Sequence, residues 1–376
     1  MFRTEIFRIF SRKTTLAAMI VTLLVVLYYN LGNSVWAEGV IDKGEIYHGE
    51  EAIARDKEIA AEFSGPLTEA TVKAIWAKYG APVNYTNRST TLEAMTEAAA
   101  GGGNDNYCNR FVAEKFYEEV QGENGQITYV LREDLSGERY LQGNYTFAYA
   151  GNGGTGYWDS FLMAYVLTGI VIIISLCPMF SEDFAYRTAD IILPSEKGRL
   201  VLWRVRMITG GCFATILYWL MCGIGFVQFL ILYGSDTLKV SCKLVGMPMY
   251  IREGDMTLGK AILLLYLCGW FSILVLNVLV QTVSTRCGQS FSSLVRSLLL
   301  YMGPSALMRV ILDMFPMGRI NVFLHYICYS MPFSFPGTFL EAPLSSKIVM
   351  AGITAVVTLL GLGLGAVRYC RHQVKG

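Results

Sequence analysis

Apolar and polar stretches alternate along this chain on the scale of whole helices. Apolar runs occupy residues 14–31, 160–180, 207–233, 261–283, 297–315 and 348–367. A helix needs about 20 mostly apolar residues to cross a bilayer core, and each run meets that length. The fifth is interrupted by Gly303 and Pro304. The pattern therefore predicts a mostly α, polytopic protein with six transmembrane helices.

Between the first and second runs the pattern changes. Residues 32–157 carry charges, glycines and turn signals, enough chain for a small folded domain. Thr68 is placed to cap a helix with Val72, Ile75, Trp76 and Tyr79 at one-sided spacing, and Gly80 with Pro82 ends it. A second helix is expected over 109–120. Residues 126–134 and 139–150 read as strands from their β-branched and aromatic content. The expected fold class is thus a six-helix membrane protein with a small α+β extracytoplasmic domain inserted between spans one and two.

Composition agrees with the pattern. Hydrophobic residues make up 53% of the 376, above the roughly 45–50% of soluble domains. Net charge is only +1, so no basic excess points to nucleic acid, and the positions of the charges carry the information. Arg3, Arg8, Arg12 and Lys13 precede run one; Arg187, Lys197, Arg199, Arg204 and Arg206 separate runs two and three. Arg286 and Arg296 flank the turn between four and five, and Arg368, Arg371 and Lys375 follow run six. With six spans these groups share one side, which the positive-inside bias makes the cytoplasm. Lys239, Lys243, Arg252 and Lys260 would lie outside, partly offset by Asp236, Glu253 and Asp255. The expected location is the cell membrane, a bacterial plasma membrane, with both termini cytoplasmic. Residues 1–13 place Phe2, Ile6, Ile9 and Phe10 on one helical side and arginines on others, as an interfacial helix does.

Candidate chemistry narrows the function classes. The nine cysteines form no C-x-x-C pair and only three histidines are present, so no metal site is expected. No G-x-x-x-x-G-K-[ST], H-E-x-x-H or G-x-S-x-G sequence occurs, so no catalytic residues are assigned and an enzyme has little to work with. Polar residues within apolar runs are functional candidates because lipid penalises them: Gln228, Asn277, and the pair Arg309 and Asp313, one helical turn apart. Gly361 and Gly365 form a small-residue helix-packing spacing in the sixth run.

The most informative stretch is 179–206, which carries nine charged side chains between two apolar runs. Ser181 is placed to cap a short helix with Glu182 and Asp183 in its first turn, Ile191 and Ile192 supply an apolar side, and Pro194 stops it. Ser195 then opens a second polar turn. Phe180, Glu182, Arg187-Thr188, the aliphatic run ending in Pro194-Ser195, and Arg199 together resemble the loop after span two of ABC-2 type (type-2 exporter) ABC transporter permeases. Arg187 stands where that family commonly has glycine.

The resemblance covers residues 1–31 and 158–371. It implies a coupling helix, 181–199, resting on a separate ATPase through Glu182, Asp183, Arg187, Glu196, Lys197 and Arg199. It also implies a re-entrant outer segment at 321–343, where Pro332, Pro336 and Pro343 interrupt an apolar stretch. The implied function is the permease subunit of an ATP-driven exporter, acting as a dimer with a second copy or a related permease. ATP and magnesium would be bound by the partner ATPase, and membrane lipid would surround the chain. A membrane-anchored sensor with a ligand-binding outer domain is the alternative.

Overall fold

The computed structural model describes all residues except 37, 84–95, 97–98, 122–126, 152–154, 195–197, 246–255, 315–318 and 372–376. Side chains of residues 33–34, 121, 127–128, 155, 312–314 and 319–321 are likewise left out. The chain is largely helical and divides into two compact units. One comprises Met1–Leu27, Phe161–Gly225 and Ile262–Gly376, and the other Tyr28–Ser160 and Phe226–Ala261. That 226–261 belongs with the second unit was not anticipated from the pattern.

The chain opens with α1 (Phe2–Phe10) and α2 (Lys13–Leu31). Then follow β1 (Gly39–Asp42), β2 (Glu45–His48), α3 (Gly49–Ala61), β3 (Gly65–Pro66), α4 (Glu69–Tyr79), α5 (Tyr107–Phe116), β4 (Tyr117–Gln121), β5 (Ile127–Leu131) and β6 (Thr146–Phe147). The rest is α6 (Thr155–Leu176), α7 (Pro178–Ala185), α8 (Ala189–Ile192), α9 (Leu200–Tyr233), α10 (Leu258–Ser284), α11 (Ser290–Met314), α12 (Arg319–Tyr329), α13 (Phe335–Glu341) and α14 (Leu344–Cys370). Among the described residues six helices are long and apolar enough to cross a membrane, so the chain is a multi-pass membrane protein by architecture.

Each begins before its apolar run. The third begins at Leu200, not at residue 207, and is 34 residues long, well beyond the roughly 20 that a bilayer core requires. Helix α11 continues through Pro304, where the sequence had suggested an interruption. Proline removes one backbone bond without ending a helix whose packing and remaining bonds are intact.

In the second unit, α4 forms as its signals dictate. Thr68 Oγ1 accepts from Thr71 N at 3.2 Å, and Gly80, in the left-handed region at φ 63°, returns its N–H to Trp76 O. The helix expected over 109–120 instead runs Tyr107–Phe116, because Asn106 and Asn109 form a reciprocal capping box. Its expected last turn becomes β4, which pairs antiparallel with β5, Tyr117 opposite Leu131 and Val120 opposite Thr128. Of the strand expected at 139–150, only Thr146–Phe147 pairs, against Gly65–Pro66. Aromatic rings make the core: Phe111 lies 4.9 Å from Phe147, and Tyr107 stacks on Phe147 at 5.8 Å.

This unit also buries charge. Arg55 holds Asp42 through Nε at 3.0 Å and Nη2 at 2.6 Å. Asp56, only 2% exposed, accepts from Tyr107 N at 2.8 Å and from Arg110 Nη2 at 3.2 Å. Arg110 also reaches Asp105 at 3.4 Å. Burial pushes the Asp56 carboxyl up to about 7; Arg110 and the Tyr107 N–H oppose the rise, and buried Glu38 and Asp105 add to it.

In the first unit, α12 and α13 are separated by a break around Pro332. The Pro332 carbonyl accepts from Tyr165 Oη and from Ser272 Oγ at 2.9 Å, and the Ser330 carbonyl accepts from Thr354 Oγ1 at 3.0 Å. A broken helix among apolar helices needs such donors, because lipid supplies none.

Candidate functional site: a connector anchored by the amino-terminal helix

The connector between the second and third long helices is built from α7, α8 and the turns around them. Its start is a kink. Pro178 has no N–H to give, and Ser284 of α10 enters the ladder beside it, its hydroxyl accepting from Phe180 N at 3.1 Å and Ser181 N at 3.0 Å while donating to Cys177 O at 2.6 Å. Ser181 is therefore not the expected cap. It lies inside α7, buried, and its hydroxyl donates to Cys177 O at 2.8 Å.

Helix α1 lies against this kink. Its Ile9 is fully buried and Phe10 meets Phe213 edge-on at 5.4 Å. Arg8 binds Glu182 at 3.2 Å and Asp183 at 3.0 Å; Arg12 binds Glu182 at 2.6 Å and donates to Ser175 O at 3.0 Å. Arg206 of α9, 1% exposed, binds Asp183 and reaches Glu5 at 3.3 Å, with its guanidinium 5.1 Å from the Phe180 ring centre. Three guanidiniums thus meet three carboxylates, Arg206, Asp183 and Glu5 buried and Arg8, Arg12 and Glu182 half-buried. Burial pushes the Arg12 guanidinium down and Glu182 pulls it back. The far side of α7 is closed by Tyr369 of α14, whose ring stands 4.9 Å from Phe180.

Asp183 is accordingly buried and Glu182 half-buried, both of them bound by arginines of this chain, whereas the resemblance places them among groups that face a partner. Arg187 and Arg199 are exposed, and Arg199 Nε donates to Leu193 O at 3.2 Å. Glu196 and Lys197 lie outside the described residues. Tyr186 and Ile191 are the most open apolar side chains of the connector, 77% and 79% exposed. Arg187 has φ 55°, the left-handed region that favours glycine and costs another residue about 1–2 kcal/mol.

Glu5, Arg8, Arg12 and Arg206 were not assigned roles from sequence beyond flanking charge. The signal that could have found Arg206 is its place: an arginine six residues into a long apolar helix calls for a partner.

The intramembrane candidates fall into separate places. Asn277 donates to Met207 O at 3.4 Å and accepts from Gln281 Nε2 at 2.6 Å, and Gln281 reaches Arg206 O at 3.3 Å. These amides sit against Gly210, where an added Cβ would lie 2.1 Å from Gln281 Nε2. Gln228 belongs to the other unit, and its Nε2 is buried without a hydrogen-bond partner. Arg309 belongs to α11, and the side chain of Asp313, its expected partner, lies outside the described residues. Gly361 and Gly365 face α10: added Cβ atoms would lie 3.0 Å from Val278 Cγ1 and 3.1 Å from Thr282 Oγ1, and Thr282 Oγ1 donates to Gly361 O at 2.9 Å. Among the described residues no cluster of histidine, cysteine and carboxylate side chains is arranged to hold a metal ion.

No protein-family model matches this chain, and no curated protein or solved structure is detectably similar to it.

Proposed function

We propose that this chain is the membrane subunit of an ATP-driven transporter, moved by a separate cytoplasmic ATPase that docks on the connector. The observation that carries the reading is the connector's attachment. It is joined to α1 and α9 by ion pairs, to α10 through Ser284 and to α14 through Tyr369, while Tyr186 and Ile191 stand open. A push on those open side chains would reach four other helices through short, buried contacts. The resemblance of residues 180–199 to the coupling loop of ABC-2 permeases supports the same reading and adds its expectations: export, a dimer with a second copy or related chain, and ATP and magnesium bound by the partner.

The experiment is affinity purification of the solubilised chain with mass spectrometry of what accompanies it, comparing wild type with Tyr186→Ala/Ile191→Asp. Both positions are exposed, so the variant tests docking without disturbing the paired carboxylates. A P-loop ATPase recovered with wild type and depleted with the variant supports the proposal; recovery of no nucleotide-binding protein under conditions that preserve complexes refutes it. A sensor reading has one observation in its favour, a cleft of about 550 Å³ in the second unit lined by Leu67, Thr68, Leu135, Leu141 and Tyr145 among others. Ligand binding there without transport would decide for it.

A further inference from the structure

Three arginines from three separate elements line one cleft of the first unit. Arg187 comes from the connector between α7 and α8, Arg286 from the turn between α10 and α11, and Arg368 from the last turn of α14. The cleft is about 260 Å³. All three side chains are exposed, and none forms an ion pair with a described residue. Among the described residues Asp190 is the single carboxylate on the wall, and Phe184 and Cys287 provide its apolar part.

We propose that this cleft binds the headgroup phosphate of an anionic phospholipid. Each element that forms it is the end of a membrane-length helix or the connector next to one, so the cleft opens where headgroups lie if these helices span the bilayer. Guanidiniums hold phosphate oxygens through paired N–H donors, and basic pockets between helix ends on the cytoplasmic side suit anionic lipid headgroups. Flanking charges that serve only orientation have no reason to converge. Arg8, Arg12 and Arg206 are engaged with carboxylates, Arg199 with a backbone carbonyl and Arg296 with the Cys287 sulfur at 3.7 Å. The left-handed backbone at Arg187 places a long cationic side chain at a turn where glycine would be relaxed. The inference rests on the helices spanning a membrane, not on an ATPase partner.

The test is native mass spectrometry of the full chain in neutral detergent, titrated with phosphatidylglycerol, phosphatidylcholine and inorganic phosphate. Wild type should retain one phosphatidylglycerol in preference to phosphatidylcholine. Affinity should fall by roughly fivefold for each arginine changed to glutamine, through Arg286→Gln alone to the triple variant with Arg187→Gln and Arg368→Gln. The single variant keeps the test valid if the triple one loses its fold, which its thermal midpoint reports. Lysine at all three positions should restore part of the preference, since charge returns without the planar fork. Equal retention of the two lipids by wild type, unchanged retention in the glutamine variants, or phosphate binding as tightly as phosphatidylglycerol would overturn the proposal. Loss of a copurifying ATPase in the triple variant with lipid retention intact would also overturn it, in favour of a protein contact. A lipid preference found with no ATPase in any preparation would leave the lipid site standing and remove the transporter reading.

Discussion

Two groups of arginines meet at the same connector and are treated in opposite ways. Arg8, Arg12 and Arg206 are matched by Glu5, Glu182 and Asp183, with Arg206, Glu5 and Asp183 buried and Arg8, Arg12 and Glu182 half-buried, whereas Arg187, Arg286 and Arg368 face a cleft with one carboxylate among its described residues. The number of arginines is the same, and what differs is who answers them. A matched buried cluster holds elements in register, because removing either sign leaves a charge stranded in low dielectric. An unmatched exposed cluster adds little to stability and is free to meet an external anion. The second unit supplies the reverse imbalance, with buried Glu38, Asp56 and Asp105 gathered around Arg110.

The comparison breaks most sharply at Asp183. Asp183→Ala leaves the buried Arg206 with Glu5 alone at 3.3 Å and should cost about 3 kcal/mol, read as a lower unfolding midpoint of the solubilised protein. Adding Arg206→Met should recover much of that loss. If Asp183→Ala melts like wild type, the cluster does not anchor the connector.

Next comes Asp56, which tests the excess of buried acid. Its carboxyl is held from 3.8 up to about 7, so the native chain keeps a proton that the unfolded chain releases. Stability should therefore fall as pH rises from about 4 to about 7, by up to about 1.4 kcal/mol per pH unit, and level off above that. Asp56→Asn should flatten the slope; a wild-type profile that rises over this window would contradict the assignment.

Ser284→Ala removes the hydroxyl that serves two N–H groups and one carbonyl at the kink. A loss of about 1–3 kcal/mol is expected, with faster hydrogen exchange at Phe180 and Ser181 as the local signature. No change at those two amides would mean that the kink does not depend on Ser284.

The smallest effect belongs to the exposed cluster. Arg187→Gly relieves the left-handed backbone but loosens the unfolded chain, for a net change of about 1 kcal/mol or less. Arg187→Val should be clearly worse, being β-branched at positive φ. If glycine and valine behave alike in thermal denaturation, the backbone at this turn relaxes and the strain account is wrong.

The candidate site was only half legible beforehand. The connector's charge density and the resemblance singled out 181–199, and the open positions at Tyr186, Arg187 and Ile191 are within it. The direction in which Glu182 and Asp183 point was not legible, because Arg8 and Arg12, which bind them, lie more than 160 residues away in the chain, and Arg206 meets Asp183 only once α9 has folded back against the connector. The same distance hid Ser284, a serine at the end of an apolar run with nothing local to mark it.

What the amino-acid sequence determined by itself is what depends on composition and period: six membrane-length apolar helices, the caps of α4 at Thr68 and Gly80, and the small-residue spacing at Gly361 and Gly365. These follow from local physics, since an apolar run must leave water and a cap satisfies its own helix end. What only the tertiary structure decided is the pairing of charge: which arginines are answered by carboxylates and which remain open to an anion. Coulomb interactions over a few ångströms depend on positions that the folded helices bring together, and nothing in the spacing of residues 5, 8, 12, 182, 183 and 206 reveals them.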